Sequence, residues 1–300
     1  MLPDVWRVGA SVQHELGDAD QPWLFMRVGL AQTKVHDDTQ LAMYQILEAE
    51  AELTKWSVPF GVTASHLLDL SDDVLLGLSA EISSDAPSIE QQYISVDKPS
   101  TKADWVGNPL LNDPVRATAR AAMQRDFLKL EVFATHVWSY PTLAQRSVEG
   151  AMYKTYEGVD AIMAGANLFA TWQMVESGVV WNWGERTEDN GALAEIQPVV
   201  LFVAGKTPSY KNAYLTARYQ HSAAQSRVDL SQDEETTGSW NTLNMGLVLE
   251  LEKVRLALDA ENLTNSLYTQ HLSYQRDPFA SGQRVDEPGR VIRASASFQF

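Results

Sequence analysis

Apolar and polar residues alternate along most of this chain. In the last eleven residues Ile292, Ala294, Ala296, Phe298 and Phe300 are apolar, and Arg293, Ser295, Ser297 and Gln299 lie between them. A period of two marks a β-strand with one apolar and one polar face. Leu243, Met245, Leu247, Leu249 and Leu251 follow the same rule, and Val254, Leu256, Leu258 and Ala260 repeat it after Glu252-Lys253. Two such runs so closely spaced predict a hairpin with a tight turn. Leu24 to Leu30, Val74 to Ala80, Leu130 to Ala134 and Leu168 to Met174 alternate likewise.

The pattern predicts about fourteen strands. They lie near 5–14, 22–32, 43–53, 57–68, 73–83, 116–126, 127–137, 145–156, 160–175, 177–186, 197–206, 211–221, 239–252 and 253–262, with 290–300 closing the series. Segment 42–55 fits an amphipathic helix by its Ala, Glu and Leu content. Leu47, Ala49, Ala51 and Leu53 also alternate with glutamates, and its place in the series favours strand. Short connections (Leu70 to Asp73, Arg125-Asp126, Glu176-Ser177) are predicted to alternate with long ones (84–115, 222–238, 263–289). That layout is an antiparallel transmembrane β-barrel with tight turns at one rim and large loops at the other. A soluble β-sandwich also has many alternating strands. It would have to expose the Gln, Asn, Glu, Arg and Thr that fill the second face here, and its strands are usually shorter. No linker composition divides residues 1–300, so one domain is expected.

Composition narrows the classes. No run of about 18 apolar residues is present, which excludes a membrane-spanning helix but not a barrel, whose strands need only about 9–11 residues. The net charge of -16 argues against a nucleic-acid partner, because phosphates need a basic surface. The absence of cysteine fits passage through an oxidising periplasm, and cytosolic proteins share it. Nine Trp and ten Tyr suit the aromatic girdles of a barrel. Residues 1–30 show no signal-peptide pattern, so a mature or incomplete chain is expected.

Five motifs, in order, carry a family resemblance. Asp85-Ala-Pro-Ser-Ile-Glu-Gln-Gln-Tyr93 is followed by Trp105-Val-Gly-Asn-Pro-Leu-Leu111, then by Tyr156-Glu-Gly-Val-Asp-Ala-Ile-Met-Ala-Gly165 and Leu193-Ala-Glu-Ile-Gln-Pro198. Last come Ala260-Glu-Asn-Leu-Thr-Asn-Ser-Leu-Tyr268 with His271-Leu-Ser273, and Glu287-Pro-Gly-Arg290 ahead of the terminal aromatic strand. Residues 57–300 thereby resemble the C-terminal barrel of a TonB-dependent outer-membrane receptor. The resemblance implies an all-β, antiparallel barrel of about 22 strands around a plug domain. Here about fourteen strands are expected, with no plug and no TonB box. An incomplete chain or a smaller, self-closing barrel would follow, since lipid does not tolerate open edges.

The implied function is uptake of a scarce nutrient such as a metal chelate or siderophore. Implied partners are outer-membrane lipid and lipopolysaccharide, the barrel-assembly machinery that reads Phe298 and Phe300, and the TonB system through a plug. Ligand contacts are expected from loops 84–115, 187–195, 222–238 and 263–289, with Tyr93, Trp105, His271, Tyr274 and Phe279 as candidates. His271 to Phe279 resembles receptors for copper or other small metal complexes, although the methionines are not clustered. Gly107, Asn108 and Pro109, Asn262 and Leu263, and Pro288, Gly289 and Arg290 have a physical reading too. Pro109 fixes φ, Asn262 can close an Asx-turn, and Pro288-Gly289 restarts the chain into its last strand.

Catalysis has no constellation behind it. The six histidines (His14, His36, His66, His136, His221, His271) are scattered, without a zinc-protease spacing, a triad order or a phosphate loop. No metal or cofactor is expected. The acidic runs Glu188-Asp189 and Asp233-Glu-Glu235 read as solvated loops. A passive pore without a plug, or a soluble β-sheet binding protein, remain the other readings of the sequence.

Overall fold

A computed structural model describes residues 5–16, 22–35, 41–96, 103–232, 234–273 and 285–298. Thirteen strands follow one another as antiparallel neighbours in a single sheet. They are β1 (Val5–Leu16), β2 (Trp23–Val35), β4 (Phe60–Ser71), β5 (Val74–Ser84), β8 (Val115–Arg125), β9 (Leu128–Val148) and β10 (Ala151–Trp172), then β11 (Val175–Arg186), β12 (Val200–Lys206), β13 (Ala213–Ser222), β14 (Trp240–Glu250), β15 (Val254–Glu261) and β16 (Val291–Phe298). Three short strands lie off this path: β3 (Thr54–Ser57) on β2, and β6 (Ser95–Val96) with β7 (Asp104–Val106) against β10. Among the described residues β1 and β16 end the path and do not pair with each other.

Register carries the alternation across the sheet. Ala64 faces Ala80, Ala80 faces Ala119, Ala119 faces Ala134, and Ala134 faces Ala164. The same face carries exposed Met26, Val28, Val62, Leu78, Val132, Leu168, Val179, Trp181, Met245, Leu247, Leu258 and Ile292. Thirteen strands at ~4.8 Å make this apolar band about 60 Å wide. Soluble monomers rarely expose apolar patches beyond a few hundred Å². The opposite face is polar and internally paired. Arg120 meets Glu131 at 3.4 Å, Arg293 meets Glu261 at 2.6 Å, Arg218 meets Glu176 at 3.7 Å, and the Thr118 and Thr135 hydroxyls are 3.0 Å apart.

Aromatic rings close over glycine within that polar face. Gly178 sits between Phe169 and Phe202, and a Cβ there would come within 2.7 Å of both rings. The Arg218 guanidinium then stacks 4.1 Å from the Phe202 centroid.

Several sequence expectations need correction. Residues 43–53 do not form a strand: Leu41–Leu47 is a helix, α1, followed by a turn. Its helix-forming composition prevails because Tyr44 and Ala51 are buried together while Ala49 is exposed, which breaks the period of two. The predicted strands 127–137, 145–156 and 160–175 are two long ones, β9 and β10, joined by a turn at Glu149-Gly150, both with positive φ. The tight turn predicted at Glu176-Ser177 falls at Gln173-Met174, where Gln173 takes φ 53. Loop 84–115 contains a helix, α2 (Ile89–Tyr93), and the β6–β7 ribbon.

Apart from the Glu149-Gly150 turn that joins β9 to β10, short turns lie at one rim and long connections at the other. β9 and β10, at 21 and 22 residues, reach about 70 Å, more than twice a hydrocarbon core of ~30 Å. A joint divides them. β9 bulges here, with Trp138 and Ser139 together opposite Asp160; the Asp160 carboxylate accepts from the Ser139 amide at 3.0 Å, and Ser139 takes φ 55. Beyond this joint the hairpin stands clear of the sheet as a post.

Candidate ligand-facing cap

The long connections fold onto that post. In one half of the cap, β7 pairs in parallel with β10, placing Asp104 beside Tyr153 and Trp105 beside Lys154. Ser88 and Gln91 form a reciprocal capping box that starts α2. Tyr93 and Tyr44 meet edge to face at 5.8 Å, and the Tyr44 hydroxyl donates to the Tyr93 carbonyl at 2.8 Å. Val35, Ala51 and Val106 complete this cluster. Trp105 packs in a second cluster with Ile94, Val96, Leu111 and Tyr156.

Gly107-Asn108-Pro109 ties the two clusters. The Gly107 amide donates to the Ile94 carbonyl at 2.7 Å, so close that a Cβ would lie 2.6 Å from the Gln92–Tyr93 backbone. Asn108 accepts from the Leu110 amide at 2.9 Å and donates to the Tyr156 carbonyl at 3.0 Å. Gly107 and Asn108 thus connect the end of α2 to β10. Tyr93 and Trp105 are buried inside it, at 0% and 4% exposure.

The other half of the cap is polar and equally buried. Asp229 is 3% exposed and Glu234 3%, so Glu234 departs from the expected solvated acidic run, whereas Glu188, Asp189 and Glu235 are exposed as expected and Asp233 lies outside the described residues. Arg186, at the end of β11, donates to Asp229 at 2.7 Å and grips Asp189 through two nitrogens at 2.9 and 3.1 Å. Gln232 bridges Asp229 to the Thr142 hydroxyl on the post.

Glu234 accepts from the Glu195 amide at 2.7 Å, the Asp229 amide at 2.7 Å and His271 Nε2 at 3.1 Å. Burial pushes its carboxyl up, but His271 and the two backbone donors outweigh that and hold it below the usual range. His271 is itself buried, with Nδ1 3.1 Å from the Thr237 hydroxyl. A polar groove of about 570 Å³ opens beside this network, lined by Thr142, Gln145, Glu157, Arg186, Glu188 and Ser231. Sequence reasoning named His271 but missed Arg186, Asp229, Gln232 and Glu234. Isolated charges in loops carry no local sign that distant segments will bury them.

The motif leading to the last strand is a hydrogen-bonded junction. Asn262, in the left-handed region at φ 47, accepts from the Ser266 amide at 2.9 Å and donates to the Ser266 and Pro288 carbonyls at 2.8 and 3.2 Å. The Leu263 amide donates to the Leu243 carbonyl at 2.8 Å. The amide of Arg290, following Pro288-Gly289, donates to the Asn265 side chain at 2.9 Å and leads into β16. Phe298 pairs with Val254 at the short-turn rim and is exposed. Tyr274, Phe279 and Phe300 lie outside the described residues. Among the described residues no group of three or more His, Asp or Glu is placed to hold a metal ion.

No protein-family model and no curated protein matches the sequence. Solved structures do match. The chain is similar to the copper transporter OprC with a TM-score of 0.79 at 18% identity, over 98% of this chain and 47% of that one. It is similar to the FrpB iron transporter from Neisseria meningitidis with a TM-score of 0.65 at 9% identity, over 98% and 45%. The ferric enterobactin receptor from Pseudomonas aeruginosa, solved with enterobactin bound, aligns with a TM-score of 0.64 at 13% identity, over 99% and 54%. The fold is that of an outer-membrane receptor barrel.

The resemblance drawn from the motifs holds at the level of fold, and the aligned proteins are transporters and receptors. The chain spans about half the length of each. In such a barrel the apolar band faces lipid and the polar face lines the lumen.

Proposed function

We propose that this chain is part of the wall and the outward-facing cap of an outer-membrane receptor that takes up a scarce nutrient such as a metal chelate. One observation carries the reading: an apolar band continues in register across thirteen strands and is backed by an ion-paired polar face. Only a membrane-spanning sheet gives both faces a favourable environment. Residues 1–300 act as one barrel unit, with the long loops on the β9–β10 post meeting the ligand. The groove beside Arg186 is its contact surface. Tyr93 and Trp105 serve by holding the cap together, and His271 by joining two loops. TonB-driven import would act through a plug, and none of the described residues folds as one.

The copper, iron and enterobactin names of the aligned proteins motivate a direct screen. Cells expressing the protein should deposit it in the outer-membrane fraction, as a band whose gel mobility shifts on boiling. Binding of copper and of ferric chelates is then measured by isothermal titration. A soluble band, or membrane association lost in carbonate wash, would refute the barrel reading. Conductance across a planar bilayer without any energy source would favour a passive pore instead.

A further inference from the structure

The Glu234 carboxylate is surrounded entirely by donors. Its Oε1 takes the Glu195 amide and His271 Nε2, and its Oε2 takes the Asp229 amide. An ionised carboxylate only accepts, so His271 Nε2 must carry its proton here. Among the described residues all three hydrogen-bond partners of the carboxylate are N–H groups, so a proton on either Glu234 oxygen would compete with a donor. The three donors come from three separate connections: 187–199, 223–239 and the segment after β15.

We propose that Glu234 is the pin of an acid-released strap, whose ionised carboxylate holds these three segments together and whose protonation lets segment 223–239 lift from the cap. The strap has further anchors. Arg186 and Gln232 hold Asp229, and Gln225 and Thr237 exchange backbone hydrogen bonds at 3.0 Å. Arg227 reaches the Gly184 carbonyl at 2.7 Å and pairs with Glu185. Gln232 also reaches Thr142 on the post, Gln225 donates to the Ile196 carbonyl at 2.7 Å, and the Thr237 hydroxyl meets His271 Nδ1 at 3.1 Å. Glu234 joins both His271 and the Glu195 amide with one ionisable side chain.

The charged groups around the pin fix the sign. His271 faces it from the turn 271–273, Glu195 and Asp229 present their amides, and the Asp229 carboxylate turns to Arg186. The Glu234 pKa is lowered in the folded state, so its contribution is present above the ordinary carboxylate range. It is lost as pH falls through the lowered value. Glu234→Gln imitates the protonated state, because its amide NH₂ also faces donors.

Hydrogen–deuterium exchange on the intact protein in detergent tests this, with rates corrected for the intrinsic effect of pH. Peptides covering 226–237 and 262–273 should exchange about tenfold faster or more after acidification, while 240–250 in β14 stays protected. Glu234→Gln should be fast already at neutral pH and show no acid step. His271→Gln keeps a donor but cannot titrate, so its acid step should persist even if Glu234→Gln fails to fold. Three results would overturn the proposal: no acid step in the wild type, neutral-pH protection retained in Glu234→Gln, or an acid step abolished in His271→Gln.

Discussion

A charge placed on either face of β9 separates a lipid-facing from a lumenal surface. Ala134 occupies the apolar row formed by Ala64, Ala80, Ala119, Ala134 and Ala164. It lies six residues beyond Leu128, where β9 begins, or about 20 Å along the strand. With a tilt near 45° this is about 14 Å above the short-turn rim, close to the middle of a ~30 Å hydrocarbon layer. Ala134→Arg should therefore cost about 2–4 kcal/mol. Its neighbour Thr135 points the other way, toward the Thr118 hydroxyl at 3.0 Å. Thr135→Arg forfeits that one hydrogen bond, about 1 kcal/mol, and its charge stays in water. Leu128→Arg, at the rim, should cost about 0–1 kcal/mol despite facing lipid. Urea titration in lipid vesicles, read by the heat-shifted gel band, gives the three values. Equal costs at Ala134 and Thr135, or a larger one at Thr135, would refute the assignment of faces.

Gly107→Ala should loosen the cap by about 1–3 kcal/mol, because the Cβ meets backbone rather than a movable side chain. Limited proteolysis between α2 and β8 should rise, and Gly77→Ala, whose nearest contact is 3.4 Å from a Leu67 methyl, should leave it unchanged. Asp229→Asn should cost about 1.5–3 kcal/mol locally, since a largely buried charged hydrogen bond is weakened while Arg186 keeps Asp189; proteolysis within 223–239 reads the loss. Asn262→Ala should lower the melting temperature more than Asn262→Gly. Alanine loses the side-chain bonds and strains φ 47, whereas glycine keeps the left-handed backbone.

The barrel wall was legible because the signal is local. Each strand announces its two faces every second residue, and the sheet places those faces in register from β2 to β16. The Gly107-Asn108-Pro109 turn and the Asn262 junction were legible for the same reason, as their conformations are set by the residues themselves. The post was not. The Trp138-Ser139 bulge and Pro141 interrupt the apolar alternation of β9, and the polar Asp160 opposite them interrupts that of β10, so the pattern splits one long hairpin into three shorter pieces. Helix α1 is decided by Tyr44 reaching Tyr93, a contact 49 residues away. The buried roles of Asp229 and Glu234 depend on Arg186 at the end of β11, Thr142 within β9 and His271 in the turn 271–273. Tertiary contacts of that kind leave no periodic trace.

The sharpest test of the membrane-wall account uses the absence of native cysteine. Single cysteines at 129, 131, 133 and 135 and at 130, 132, 134 and 136 in β9 are exposed, in intact outer-membrane vesicles, to a bulky, water-soluble maleimide. The account predicts labelling at the odd positions, which face the aqueous lumen, and protection at the even ones, which face lipid. Labelling that ignores the alternation, or follows it in the opposite phase, would contradict the central claim.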